Sequence, residues 1–484
     1  MQICVIVAVF LVLNIYFVIF RYVTAAATII AAASVLCRDM LPESKVSWLA
    51  VLVFLPLFGL TVYILFSFNT IGKKEKSIVK KFKEQTNALA FNNTPVERYL
   101  SPEQLIQSDY IESVTGRRGY INTDVRHYPY GERFFADFLN DLESARDFVF
   151  LEYFLLAEGE MLSRVLSVLE RKAALGVDVR IIYDDFGSAD RINPKYAAEL
   201  NKKGIKTIRF NKMIPFPAAY QNNRNHRKIT VIDGKIGYTG GINIADEYIN
   251  LISPYGVWKD TAIRLEGPAV DALSTAFLSD FFSAEKAVEP IDRFVGKAEN
   301  MHSRGVVLPF CDGPKHMYNR YVTENAYINL INSARRYVWI STPYLVYDGR
   351  IKKSLVAAAE RGADVRIVVP HIPDKKLVFE IGRNNYKALQ KYGIKIYEYE
   401  PGFIHAKQLV CDGTTAIVGT ANLDYRSLLY NYENAVLLFN TDCISDIEKD
   451  FISVFNRSVL MDGFEQNALK NIFCKIARTI APLL

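Results

Sequence analysis

Two stretches of this chain carry the same polar pattern: Asn225-His226-Arg227-Lys228-Ile229-Thr230-Val231-Ile232-Asp233 and Ile404-His405-Ala406-Lys407-Gln408-Leu409-Val410-Cys411-Asp412. Both read H-x-K-x-x-x-x-D. Each is followed by small residues and an asparagine, in Gly240-Gly241-Ile242-Asn243 and in Gly419-Thr420-Ala421-Asn422. Two imidazoles, each with a lysine two residues on, suit attack on a phosphodiester. A neutral imidazole is a competent nucleophile and forms a covalent phospho-histidine. A second, protonated imidazole gives its proton to the leaving alkoxide and later takes one from the incoming alcohol. Lys228, Lys407, Asn243 and Asn422 supply positive charge and donors where the phosphate oxygens need them. An unperturbed histidine pKa of about 6.5 makes both protonation states accessible. The two rings must then hold opposite states, and their apparent pKa values belong to the pair.

Chance is a poor explanation for the repeat. A given histidine acquires the matching Lys and Asp roughly a few times in a thousand, and here two of six histidines do so. His127, His302, His316 and His371 lack the pattern and read as ordinary polar residues. Asp233 and Asp412 close the two motifs and join the candidate catalytic set. Their place in the turns Asp233-Gly234 and Asp412-Gly413 also suits fixing the turn.

A nucleophilic imidazole needs an acceptor on its other nitrogen. Asp260 lies 34 residues after His226, and Glu433 lies 28 residues after His405, so each half offers one acid at a comparable distance. A metal is not expected, because a lysine beside each histidine repels a cation and no ligand triad appears. No cofactor is expected either: exchanging one phosphodiester for another needs no ATP.

The elements that hold these groups are also repeated. Ala145–Tyr153 and Gly176–Ile182 precede the first motif, and Ala334–Ser341 and Gly362–Val368 precede the second. Each half reads as helix end, apolar strand, helix, glycine turn, apolar strand, then the histidine strand. On a strand, residues two apart share a face, so His226 projects with Lys228 and His405 with Lys407. Packing the halves about a pseudo-twofold axis would bring all four into one pocket.

With 484 residues and a net charge of +6, the chain has room for two or three domains and is too mildly basic to suggest nucleic acid. Six scattered cysteines without C-x-x-C argue for a reducing setting. The N-terminus departs from globular composition. Residues 2–20 and 22–37 are apolar around Arg21, and Val46–Phe66 is an uninterrupted apolar run. A run of about 20 apolar residues crosses a bilayer. No basic stretch precedes the first run, so it is not read as a cleaved signal. Lys73, Lys74, Lys76, Lys80, Lys81 and Lys83 follow, which marks the cytoplasmic side. The expected division is a membrane anchor over 1–70 with two spans, or three; a basic connector over 71–112; a first catalytic domain over 113–297; and a second over 298–484. The chain is expected in the cell membrane, multi-pass, with its catalytic domains cytoplasmic. Two further segments are amphipathic or apolar, Met213–Tyr220 and Ile472–Arg478, and each suits either an interface or a packed core.

Taken together, these residues resemble the bacterial cardiolipin synthases of the phospholipase D superfamily. The resemblance rests on Arg224–Ile229, Gly240–Ile244 with Asp246-Glu247-Tyr248, Thr342-Pro343-Tyr344-Leu345, Gly419–Ser427, Trp48 with Pro56–Gly59, and Ala481–Leu484. It implies an α/β fold: two similar domains, each a mixed sheet flanked by helices, after a helical transmembrane anchor. It implies phospholipid substrates, with one phosphatidylglycerol transferring its phosphatidyl group to another and releasing glycerol. It implies His226 as nucleophile, His405 as acid and base, Lys228, Lys407, Asn243 and Asn422 as phosphate binders, and Asp260 and Glu433 as orienting acids. Lys259 stands where relatives often carry arginine, which weakens any bidentate grip on phosphate from that position. A hydrolase releasing phosphatidic acid and a membrane-bound nuclease are the alternatives.

Overall fold

The computed structural model describes residues 7, 9, 12, 18–66, 73–88, 95–213, 219–314 and 321–483. They fall into two units. One comprises 1–70, 214–222 and 466–484, and the other 71–213 and 223–465. The C-terminal tail therefore belongs with the N-terminal helices, where the sequence suggested it closed the second catalytic domain.

In the larger unit the first half supplies β1 (Asp124–Tyr128), β2 (Phe148–Tyr153), β3 (Asp178–Asp184), β4 (Lys206–Phe210), β5 (Lys228–Ile232), β6 (Ile236–Gly240), β7 (Val257–Lys259) and β8 (Ala262–Glu266). The second supplies β9 (Val306–Asp312), β10 (Tyr337–Ser341), β11 (Leu345–Val346), β12 (Asp364–Pro370), β13 (Lys395–Tyr399), β14 (Gly402–Ile404), β15 (Gln408–Cys411), β16 (Thr415–Gly419), β17 (Leu423–Asp424), β18 (Glu433–Phe439) and β19 (Ser458–Leu460). The first sheet runs β1-β8-β6-β5-β2-β3-β4. The second runs β9-β18-β16-β15-β10-β12-β13, with β19 added at its edge. Strand for strand this is one topology used twice. In each, three parallel strands meet an antiparallel set at the histidine strand, β5 against β2 and β15 against β10.

Two helices lie between the sheets. Val270–Glu285 packs on β2, β5 and β6 and on β9 of the other half; Cys443–Phe455 packs on β13 and β15 and on β1 of the other half. Most side chains of Val270–Glu285 are buried, as expected of a helix covered on all sides. Phe277 stacks on Phe150 at 4.5 Å between centroids. One continuous apolar cluster joins Phe150, Ile229 and Phe277 to Val410, Val418 and Phe451, so the halves share a core.

The segment expected as a basic connector is built into this unit. Helix Lys73–Ala88 buries Ile78 and Phe82, and Phe82 meets Phe282 edge-on at 5.9 Å. Helix Pro102–Thr115 carries Gln104, whose amide reaches Thr415 Oγ1 at 3.2 Å. An apolar pair four residues apart inside a lysine-rich run is enough to seat such a helix.

The smaller unit contains helices Val18–Cys37, Pro42–Phe54, Pro56–Phe66 and Ala468–Ile480. Arg21 does not interrupt the first, and its stretch Ile19–Cys37 is long and apolar enough to cross a membrane. The run Val46–Phe66 is not a straight span. It breaks at Leu55, before Pro56, because proline lacks the amide a helix interior needs and disfavours helical geometry in the residue before it. The chain bends sharply there, and a Cβ on Gly59 would meet the Val51 carbonyl oxygen at 2.7 Å. Trp48 and Tyr63 pack edge-to-face at 5.2 Å within this bend. The tail helix is amphipathic: Cys474 is buried, while Leu469, Ile472, Phe473 and Ile476 are exposed. The expected interfacial residues Ile214–Ala218 lie outside the described residues.

Candidate active site

His226 and His405 stand just before β5 and β15, each at a junction with the other half. A parallel bridge pairs Asn225 with Tyr432, with the His226 amide donating to the Tyr432 carbonyl at 2.9 Å and the Tyr432 amide to the Arg224 carbonyl at 2.8 Å. In the second half, β14 pairs with β7 so that Ile404 faces Lys259, and the His405 amide donates to the Lys259 carbonyl at 2.7 Å. One residue further on, the same register sets His226 beside Glu433 and His405 beside Asp260. The His226 Nδ1 lies 2.9 Å from Glu433 Oε2, and the His405 Nδ1 lies 2.6 Å from Asp260 Oδ2. Counting along the chain had matched each acid to the histidine of its own half; the structure crosses them.

These acids fix the tautomer. Each imidazole holds its proton on Nδ1, pointed at a carboxylate, and leaves the Nε2 lone pair for chemistry. Glu433 also accepts from Asn431 at 3.2 Å and bonds Thr420 Oγ1. Burial comes first in setting the charge state. It lowers His226 to about 4, against the pull of Glu433, with Lys228 and Lys407 both pushing down. His405 is lowered to about 3 by burial, then by Lys407, with Lys228 adding to it. Asp260 and Glu433 stay below the usual carboxylate range, although burial opposes it, because their histidines and the lysines favour the anion. Both shifts favour the neutral imidazole near neutral pH, and the negative charge of a phosphate would act in the opposite sense.

Lys228 and Lys407 are nearly fully buried. Lys228 Nζ donates to the His226 carbonyl at 2.8 Å, and Lys407 Nζ donates to the His405 carbonyl. Burial, followed by repulsion from Lys407, brings Lys228 down to about 7; burial brings Lys407 down to about 8. Lys407 also acts on His226, and Lys228 on His405, each across the junction between the halves. Phe154 packs on His226 at 5.1 Å and Tyr248 on His405 at 5.5 Å between ring centroids.

The remaining candidates divide. Asn243 accepts from the Leu155 amide at 3.2 Å and donates to Tyr248 Oη at 2.7 Å, which fixes it beside the ring that packs on His405. Asn422 donates to Asp424 at 3.2 Å, and its buried Oδ1 has no hydrogen-bond partner among the described residues. Asp233 and Asp412 belong to the frame and not to the pocket. The carboxylate of Asp233 accepts the amides of Arg146, Asp147 and Phe148 at 2.8–2.9 Å; that of Asp412 accepts those of Arg335, Arg336 and Tyr337 at 2.8 Å. Both adopt positive φ, 52° and 53°, ahead of a glycine, as a tight hairpin turn requires. Asp412→Ala should therefore destabilise the protein by roughly 2–4 kcal/mol in chemical denaturation, from lost amide partners and a strained turn. Lys259 is buried and turned away, donating to Asp450 at 2.9 Å and to the Pro129 carbonyl at 2.6 Å.

One cluster escaped the sequence analysis. Arg227, fully buried, reaches Asp280 Oδ2 at 2.5 Å, the Asp312 carbonyl at 3.0 Å and the Glu433 carbonyl at 3.2 Å. Asn225 Nδ2 binds Glu152 Oε1 at 2.5 Å, and burial with the neighbouring Asp280 holds Glu152 well above the ordinary carboxylate range. The available signal was Glu152 itself, a carboxylate inside the apolar strand Phe148–Tyr153.

A duplicated α/β fold, with one imidazole–lysine pair per half and each imidazole held by a carboxylate of the opposite half, defines the class of protein to which this chain is to be compared. Comparison with known proteins narrows this. The family described as cardiolipin synthase, PLD-like domain matches residues 138–261 and 327–455, and that described as phospholipase D-nuclease N-terminal matches 26–67. A cardiolipin synthase of Geobacillus kaustophilus is 33% identical over 96% of this chain and 93% of its own length. Cardiolipin synthase 2 of Bacillus cereus is 34% identical over 92% and 87%. An uncharacterized Streptococcus mutans protein is 38% identical over 91% and 96%. A crystal structure of phosphatidylserine synthase from Haemophilus influenzae superposes with a TM-score of 0.60 at 12% identity, covering 80% of this chain and all of that one, a likeness of fold. The chain belongs to the cardiolipin synthase family of phospholipase D-like proteins.

Proposed function

We propose that this chain transfers a phosphatidyl group from one phosphatidylglycerol to another through a phosphatidyl-histidine. The observation that carries the reading is the crossed pair of acids, which orients both rings through Nδ1, with a buried lysine bonded to the carbonyl of each histidine. The His226 Nε2 attacks phosphorus, a nitrogen–phosphorus bond forms, and the bond to the glycerol oxygen breaks. His405 has taken up a proton as the anionic phosphate entered, since that charge reverses the effect of the lysines, and gives it to the departing glycerol. The hydroxyl of a second phosphatidylglycerol then passes its proton to His405. Its oxygen bonds to phosphorus and frees His226. Lys228 and Lys407, with Asn243 and Asn422, hold the phosphate oxygens through both steps.

The membrane fits this chemistry. In this reading the N-terminal segment crosses the bilayer more than once, and Lys73–Lys83 keep the catalytic residues on the cytoplasmic side. The exposed apolar face of Ala468–Ile480, flanked by Lys470, Lys475 and Arg478, suits a lipid surface.

Purified enzyme given labelled phosphatidylglycerol alone should yield cardiolipin and glycerol. Phosphatidic acid as the main product would reject transfer in favour of hydrolysis. The pH profile should be lopsided. His405 takes its proton from solvent as substrate binds, so kcat/KM should decline as pH rises across the neutral range, and more steeply as the lysines lose their charge through about 7 to 8. The histidine limb should lie near pH 4, because His226 must be neutral to attack. An acid limb centred between 6 and 7 would contradict the buried, acid-paired imidazoles.

A further inference from the structure

A buried phenol stands on a line of contacts that joins the two histidines. Phe154 packs on His226 at 5.1 Å between ring centroids, and Lys228 Nζ lies 5.5 Å from the centre of the Phe154 ring. The next amide along the chain, that of Leu155, donates to Asn243 Oδ1 at 3.2 Å. Asn243 Nδ2 reaches Tyr248 Oη at 2.7 Å, and the Tyr248 ring meets His405 edge-on at 5.5 Å. The backbone fixes this line. Leu156 bridges Ile244, and the Ala157 amide donates to the Ile244 carbonyl at 3.0 Å. Tyr248 sits in the single-turn helix Asp246–Ile249, its amide on the Ala245 carbonyl at 3.1 Å. A Cβ on Gly131 would collide with the Tyr248 carbonyl oxygen, so that glycine lets helix Gly131–Ser144 close on the turn.

These hydrogen bonds assign the protons. A backbone amide only donates, so the Asn243 atom facing Leu155 is the oxygen, and the atom facing Tyr248 is the nitrogen. The phenol oxygen is thus the acceptor in that bond, and its own O–H points elsewhere. Tyr248 is only 4% exposed, and its O–H has no acceptor among the described residues. A buried donor is ordinarily paired, so this one is set aside for a group that the protein does not itself supply. Burial, and after it the charge of Asp260, raises the phenol well above its ordinary pKa, so it keeps its proton. In the second half Asn422 donates instead to the Asp424 carboxylate at 3.2 Å, so the spare hydroxyl belongs to the first half.

Resting on the phosphatidyl-transfer reading above, we propose that Tyr248 is a further catalytic residue, whose hydroxyl donates to one non-bridging oxygen of the phosphate held between His226 and His405. It adds a fixed neutral donor to the charge of Lys228 and Lys407, at an oxygen that stays anionic through both steps. The proton is shared and not transferred, so the bonds made and broken remain those at His226 and at the glycerol oxygens.

The test uses the full-length enzyme and phosphatidylglycerol in which sulfur replaces one non-bridging oxygen, supplied as the two separated phosphorus isomers. Tyr248→Phe keeps the ring on His405 and removes only the hydroxyl. For unmodified lipid it should lower kcat by about a hundredfold, the loss expected for one donor aimed at transition-state charge. Sulfur accepts a hydrogen bond weakly, so one isomer loses this contact already in the unmutated enzyme. In Tyr248→Phe the slowing caused by sulfur should therefore shrink by about tenfold for that isomer and stay as it was for the other. A tyrosine that only packs would leave both sulfur effects unchanged; that result, or a kcat within about twofold of the unmutated enzyme, overturns the proposal. Should Tyr248→Phe not fold, a fluorinated tyrosine at 248 keeps the shape and strengthens the donor, and sulfur effects that stay the same for both isomers overturn the proposal equally. Unmutated enzyme that makes phosphatidic acid and no cardiolipin overturns the transfer reading alone, because the same comparison of isomers then tests Tyr248 on hydrolysis.

Discussion

His226→Ala should abolish cardiolipin formation, by about 10⁴-fold or more, and with it any acid-labile phosphorus adduct on the protein. The expectation follows from what stands around the ring. Its Nδ1 is committed to Glu433, so the reacting nitrogen is oriented in advance, and alanine leaves no group in its place. His405→Ala should behave differently. It removes the proton donor and acceptor but keeps the nucleophile, so turnover falls while adduct formed from a lipid with a good leaving group persists. Quenching a single turnover with labelled lipid separates the cases. An adduct that survives in His226→Ala and vanishes in His405→Ala would reverse the two roles.

The largest effect on stability should come from Arg227→Met. The change removes a cation from a fully buried site and leaves Asp280 buried without its counter-charge. Breaking one side of a buried pair costs about 3–5 kcal/mol. It also removes the donor at the Glu433 carbonyl, so the acid behind His226 loses one of its supports. Adding Asp280→Asn to Arg227→Met should recover a large part of the loss in chemical denaturation, because an amide is cheaper to bury than an unpaired carboxylate. Additive losses in the double variant would mean that the two side chains do not depend on one another.

Much of this was legible in the sequence, for reasons particular residues make clear. The repeat H-x-K-x-x-x-x-D stood out because histidine, lysine and turn keep the same spacing along one continuous segment in each half. The matching sheets followed from the apolar runs at Phe148–Tyr153 and Tyr337–Ser341. Glu433 and Asp260 were found as acids but matched to histidines by distance along the chain. Their true partners are set by the Asn225–Tyr432 bridge and the β7–β14 pairing, contacts that exist only once the halves meet. Arg227 was passed over for a related reason. It alternates with His226 and Lys228 and so points to the opposite face, which in a lone sheet would meet solvent and here meets Asp280 on the helix between the sheets. In the N-terminal segment, hydropathy registered apolar content from Val46 to Phe66, but the backbone at Leu55-Pro56 decides that it bends.

The exchange of acids between halves bears on how such a chain could arise. A solitary ancestor of either lobe would carry an imidazole with no carboxylate behind it, and so would be inert until two copies associated about a symmetry axis. Fusion of two such copies would make the association permanent and release the lobes from identity, a freedom in keeping with Arg227 at one junction and Ala406 at the other.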